Sequence, residues 1–182
     1  APTIAPMLVP TMACGASALT FPMVNRGYFE LAAAERVYSR RAVDLVADAM
    51  VIDMLAPLVI DLDPAAYAKP LTEKTAAEFR ASGITGFHNA YGIGGPDAYA
   101  KTLEFMAGWH GFCGRNPDAF ALVTKADDLD RAKAAGRAAV IMGVQNSDPF
   151  RTAADVASFY ALGQRCSQLT YNSQNRIGSG ST

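Results

Sequence analysis

The residues able to do chemistry in this 182-residue chain stand mostly at the ends of short apolar runs. His88 closes the run Ile84-Thr85-Gly86-Phe87-His88 and is followed by Asn89 and Tyr91. An imidazole so placed can act as a general base or bind a metal ion. No second ligand stands beside it, so a histidine simply hydrogen-bonded in a strand-to-helix loop is the competing reading. Gln145 follows the apolar run 138–144, and Tyr171, Asn172 and Asn175 follow the run 165–170. Amides and a phenol at strand ends can hold a small ligand by hydrogen bonds; ordinary loop hydrogen bonding accounts for them equally well. Asp53 lies inside the apolar run 50–55, where a carboxylate is costly to bury alone, so it pairs with a basic group or supports a site. Asp61 and Asp63 have an Asp-x-Asp spacing that fits an exposed loop better than a displaced ligand pair. His110, in Gly108-Trp109-His110-Gly111 late in a helical stretch, fits a structural role favoured by the negative end of that helix.

Other chemistries lack their motifs. Gly92-Ile93-Gly94-Gly95-Pro96 leads into a helix but has neither the P-loop lysine nor the full dinucleotide spacing, which leaves a loop-to-helix transition. Ser147, Ser173 and Ser179 have no G-x-S-x-G context, so a serine-hydrolase elbow is not signalled. Cys14, Cys113 and Cys166 form no CxxC pair and read as buried small hydrophobes. A net charge of −1 gives no electrostatic footprint for nucleic acid or an anionic membrane. With 51% hydrophobic and 18% charged residues, the chain can bury a core and does not have a disordered composition.

The elements that must position these residues alternate. Helices are expected over 28–49, 72–81, 96–113, 127–135 and 152–162. Thr72 is the expected cap of the second, Pro96 sits in the first turn of the third, and Gly136 and Gly163 stop the last two. Strands are expected over 50–55 (with 58–61 as an extension or separate piece), 84–88, 120–123, 138–145 and 165–170, and a polar loop over 172–182. Apolar strands without polar alternation, separated by helices, predict an α/β fold with a parallel sheet covered on both faces. About five such units are present, whereas a closed eight-stranded barrel takes about 250 residues. The expected architecture is the N-terminal part of a TIM-like (β/α)8 barrel, either a fragment or one piece of a split barrel, with an open doubly wound sheet as the alternative.

Several segments resemble the membrane (renal) dipeptidase family. Val51-Ile52-Asp53 is similar to that family's first strand, V-I-D-G-H-N-D, and Ile141-Met142-Gly143-Val144-Gln145-Asn146-Ser147 is similar to its L-L-G-V-E-G-G. The most specific likeness runs from Phe159-Tyr160-Ala161-Leu162-Gly163-Gln164-Arg165 through Gln168-Leu169-Thr170-Tyr171-Asn172-Ser173 to Asn175. The resemblance implies a barrel with a two-zinc site at the C-terminal ends of its strands, and hydrolysis of dipeptides. It also places the family's first-strand histidine and aspartate on Leu55 and Pro57, its bridging glutamate on Gln145, and its substrate-contacting histidine on Tyr171. A neutral amide cannot offset the repulsion between two dications as a bridging carboxylate does. The family's metal ligands are thus not carried by this half. One zinc, held by residues beyond Thr182, is the remaining metal expectation. Taken together with their positions on strands and at strand ends, the expected site comprises His88 and Tyr171 as catalytic residues, with Gln145, Asn172, Asn175 and Asp53 contacting a dipeptide-like substrate. A barrel that binds a small amino-acid-like ligand without turnover is the alternative.

Residues 1–27 read as an irregular leader or the remnant of an export signal, with Ala16-Ser17-Ala18 as a small-residue cleavage site, and 28–182 as the barrel domain. A periplasmic or secreted location follows, otherwise a cytoplasmic one. Open sheet edges predict a homo-oligomer or a complementing C-terminal chain.

Overall fold

The computed structural model describes residues 38–54 and 68–181. In chain order these form α1 (Arg40–Asp48), β1 (Ile52–Asp53), α2 (Glu73–Ala81), β2 (Gly86–Tyr91), α3 (Ala98–Arg115) and β3 (Phe120–Leu122). They continue with α4 (Asp127–Ala134), β4 (Ala138–Val144), α5 (Ala153–Ala161) and β5 (Gln164–Ser167). All the pairings among these strands are parallel.

β4 shows why its sequence lacks alternation. Every residue of it is buried, and its side chains divide between two apolar layers. Ala138, Val140 and Met142 join Phe87 and Phe120 under Phe79 of α2, Met106, Trp109 and Phe112 of α3, and Phe159 of α5. Ala139 and Ile141 face the other way, with Ile52, Ala121, Val123 and Cys166, against Leu129 and Ala132 of α4. A strand buried on both faces has no side to spare for polar residues. Three helices therefore cover one face of the sheet, while α4 covers the opposite face at the start of the strands, where Leu129 lies beside Gly86.

The sheet runs β1–β2–β4, and β3 and β5 share the far edge of β4. β3 pairs with its first half, from Phe120 opposite Ala138 to Leu122 opposite Val140. β5 pairs with its second half, Met142 opposite Gln164 and then Gly143 opposite Cys166. Arg165 is bulged out of that register and lays its guanidinium over the Tyr160 ring, 4.0 Å from the centroid. The parallel α/β sheet and its unit count match the expectation; its order does not follow the sequence at β3.

Two local expectations need correction. The helix over 28–49 is not continuous within the described residues, because Tyr38 and Ser39 precede the first turn of α1. Ser39 is extended and its hydroxyl accepts from Ala42 N, so a capping side chain competes with helix continuation. Pro96 lies in the turn before α3, whose first helical residue is Ala98. Residues 28–37, the piece 58–61 and the Asp61/Asp63 pair lie outside the described residues. Thr72 caps α2 as expected, accepting from Thr75 N.

The entry to α4 is held by a carboxylate. Asp128 accepts from Thr124 N (2.7 Å), Thr124 Oγ1 (2.8 Å) and Lys125 N (2.9 Å), and pairs with Arg131. The Thr124 donors, aided by Lys125 and Arg131, hold its carboxyl down at about 2. The folded value is below that of an unfolded aspartate, so this stabilisation is complete above pH of about 4 and is lost as the pH falls toward 2. Asp128→Ala is expected to cost about 1 kcal/mol at neutral pH, and much less at pH of about 2. Denaturant midpoints of both proteins across that range check this.

Candidate functional site

The face of the sheet opposite the three-helix layer carries Gly86, His88 and Ala90 of β2 beside Ala139, Ile141 and Gly143 of β4. His88 is half-buried, and its Nδ1 lies 2.8 Å from Met54 O. A carbonyl oxygen only accepts, so Nδ1 carries the proton and, in the neutral ring, Nε2 carries the lone pair. Nε2 is buried and has no hydrogen-bond partner among the described residues. The ring lies against Gly143, where a Cβ would fall well inside contact distance of Nε2 and 3.1 Å from Cys166 Cβ. Gly143 is thus the seat of His88, and Cys166 of β5 borders it.

Gln145 extends this row past the end of β4. Its backbone N–H donates to Tyr91 O, and its Oε1 lies 3.0 Å from where a Cβ on Gly92 would be. The missing side chain of Gly92 makes that space. The loops around it are tied together: Asp148 accepts from Gly95 N, Asn146 accepts from Asp148 N, and Ser147 Oγ reaches Ser167 Oγ and donates to Gln168 O. The exits of β2, β4 and β5 therefore form one hydrogen-bonded rim.

The remaining expected site residues fall in different environments. Tyr171 is half-buried beyond β5, and its carbonyl accepts from Ser181 N. Asn172 is exposed, with Oδ1 accepting from Ser181 Oγ. Asn175 commits both ends of its amide to its own loop, accepting from Ile177 N and Gly178 N and donating to Leu169 O. Asp53 is half-buried on β1, in register with Phe87. Leu55 and Pro57 lie outside the described residues. His110 donates from Nε2 to Leu162 O (2.7 Å), tying α3 to the end of α5. Burial pushes the Cys113 thiol up to about 12 and raises that of Cys166 as well, so neither is primed as a thiolate.

The structure adds Gly143 and Gly92 to the residues that shape the site. Their signal was present in the sequence: a glycine within or just after an apolar strand marks close approach by a neighbouring group.

The described residues do not by themselves supply a metal centre. Among the described residues, no group of three or more His, Cys, Asp or Glu side chains could hold a metal ion. At the expected bridging position Gln145 offers a neutral donor.

Parallel strands whose polar residues gather beyond their C-terminal ends define part of a TIM-like barrel. Residues 40–182 match the family model described as membrane dipeptidase (peptidase family M19), and the chain belongs to that family. Among solved structures it is similar to an amidohydrolase from Pseudomonas aeruginosa, with a TM-score of 0.59 and 22% identity, covering 75% of this chain. The chain spans 38% of the length of that relative, and the likeness is one of fold. Comparison with curated proteins gave no match. No helix among the described residues is long and apolar enough to cross a membrane.

Proposed function

We propose that this chain forms the N-terminal part of a dipeptidase-type hydrolase acting on dipeptides or related small amides, with the metal positions of this half replaced. The family match across 40–182 carries the reading, because it includes every strand end of the candidate rim. In this proposal Gln145 and Tyr171 present hydrogen-bonding groups to the substrate, with Asn172 at the outer margin and Asp53 supporting β1. Asn175 is left out, since its amide is used in folding its loop. No step is assigned to a metal held by these residues. In this reading zinc-dependent hydrolysis draws on ligands beyond Thr182, supplied by the same chain or by a complementing one, and β1 on one side and β3 with β5 on the other, the outermost strands among the described residues, suit such a partner or a second copy.

Gln145 favours a second reading, a barrel that binds an amino-acid-like ligand without cleaving it. Elemental analysis of the full-length protein, with dipeptide hydrolysis measured with and without a chelator, separates the two. Stoichiometric zinc and chelator-sensitive hydrolysis are expected. Absence of both, with dipeptide binding retained in calorimetry, would replace the hydrolase by the binding protein. Sedimentation of the same preparation as a monomer without a complementing chain would remove the assembly from the proposal.

A further inference from the structure

We infer that His88 is a positioning residue that works through Nδ1 to hold the exit of β1, and that its Nε2 is not the group that meets substrate. The backbone ladder between β1 and β2 is two residues long, Ile52 opposite Gly86 and Asp53 opposite Phe87. Its lower end is fastened by Thr85, whose hydroxyl accepts from Val51 N while Val51 O accepts from Thr85 N and Gly86 N. The upper end has a side chain in place of the next rung: His88 Nδ1–H donates to Met54 O. The ring that makes this bond is seated on Gly143 of β4, so one imidazole links β1 to β4 across β2.

The two nitrogens have unlike surroundings. Nδ1 is satisfied by a fixed carbonyl, whereas Nε2 is shut against Gly143, is not exposed to solvent and has no partner among the described residues. A base or ligand must be reachable by the group it serves, and a nitrogen buried against a glycine in mid-strand is not. The clamped carbonyl, in contrast, immediately precedes position 55, where the family resemblance places the first-strand ligand. Holding Met54 O therefore fixes where the chain leaves β1 for the mouth of the barrel. This role rests on the proposed reading only in treating that mouth as the functional site; the clamp itself is independent of hydrolysis.

Amide geometry separates the nitrogens. The side-chain N–H of asparagine can occupy the Nδ1 position, and that of glutamine the Nε2 position. His88→Asn, His88→Gln and His88→Ala are made in the full-length protein, and hydrogen exchange is followed at 51–54 and 85–88, with α3 amides as the control for global folding. H88A and H88Q are expected to speed exchange at 51–54 by about tenfold, and H88N to restore it to within about threefold of wild type. In any dipeptide turnover, kcat is expected to follow the same order, with H88N closest to wild type. Retention of slow exchange and turnover by H88Q but not H88N would assign the work to Nε2 and overturn the inference. Wild-type exchange in all three variants would also overturn it, by showing that Met54 O needs no holding. If H88A does not fold, the Asn–Gln comparison still decides. A wild-type protein without hydrolysis would defeat the proposed function and leave the exchange result intact.

Discussion

Gly143→Ala is expected to destabilise the full-length protein by about 3 kcal/mol, at the upper end of ordinary overpacking. The new methyl would enter space already filled by the His88 ring, and it would also crowd Cys166 Cβ. A flexible neighbour would swing away at little cost. His88 cannot do so without giving up the Met54 carbonyl, and Cys166 sits on β5 just after the bulge at Arg165. The strain must then spread into the pairing of β2, β4 and β5. Adding His88→Ala should remove most of the penalty, since the second truncation empties the contested space. The two changes should couple by about 2 kcal/mol in a double-mutant cycle read from denaturant midpoints. A cost below about 0.5 kcal/mol for the single change, which is the range of a neutral surface substitution, would show that the imidazole is not seated there.

Phe120→Ala is expected to cost about 3–5 kcal/mol. β3 has three residues, and Phe120 is its anchor, 1% exposed. Its ring meets Phe79 of α2 edge-on at 5.4 Å between centroids and Phe112 of α3 at 5.3 Å. Phe112 in turn packs on Trp109, and Phe79 on Phe87 of β2, so the ring joins two helices to the sheet. Truncation removes buried area and leaves a void that neighbours on three elements cannot all close. Unfolding of the full-length protein should shift by that amount, and Phe120→Leu should recover part of it by refilling the space. An alanine variant within about 1 kcal/mol of wild type would mean that β3 is not anchored through this ring.

Much of the fold was legible because its signals are local. Thr72 announces α2, and Gly136 and Gly163 take the left-handed conformations (φ 64° and 104°) that end helices. The unbroken apolar run of β4 announced a strand buried on both faces. Strand order was not legible. β3 and β5 dividing one edge of β4 depends on pairings between distant segments, and no periodicity encodes which strand lies beside which. The start of α1 at Arg40 is set by the Ser39 cap, which the composition of the stretch does not announce.

The site was legible as a set of strand-end positions and less so as a set of roles. His88 on β2 and Gln145 just past the end of β4 do lie along one face, but the carbonyl that fixes the His88 tautomer is 34 positions away in sequence. The case of Asn175 is different. Asn175-Arg176-Ile177-Gly178 has the pattern of a turn stabilised by its own asparagine, so its structural role was available from local chemistry. Its position after the fifth strand favoured a ligand contact there, and the geometry gives the amide to the loop.

The position of α4 constrains traffic. Leu129 and Ala132 plug the inner face where the strands begin, so this half of the barrel has a floor beneath His88 and Gln145. Among the described residues, approach to that row is therefore from the rim side and not from beneath the strands.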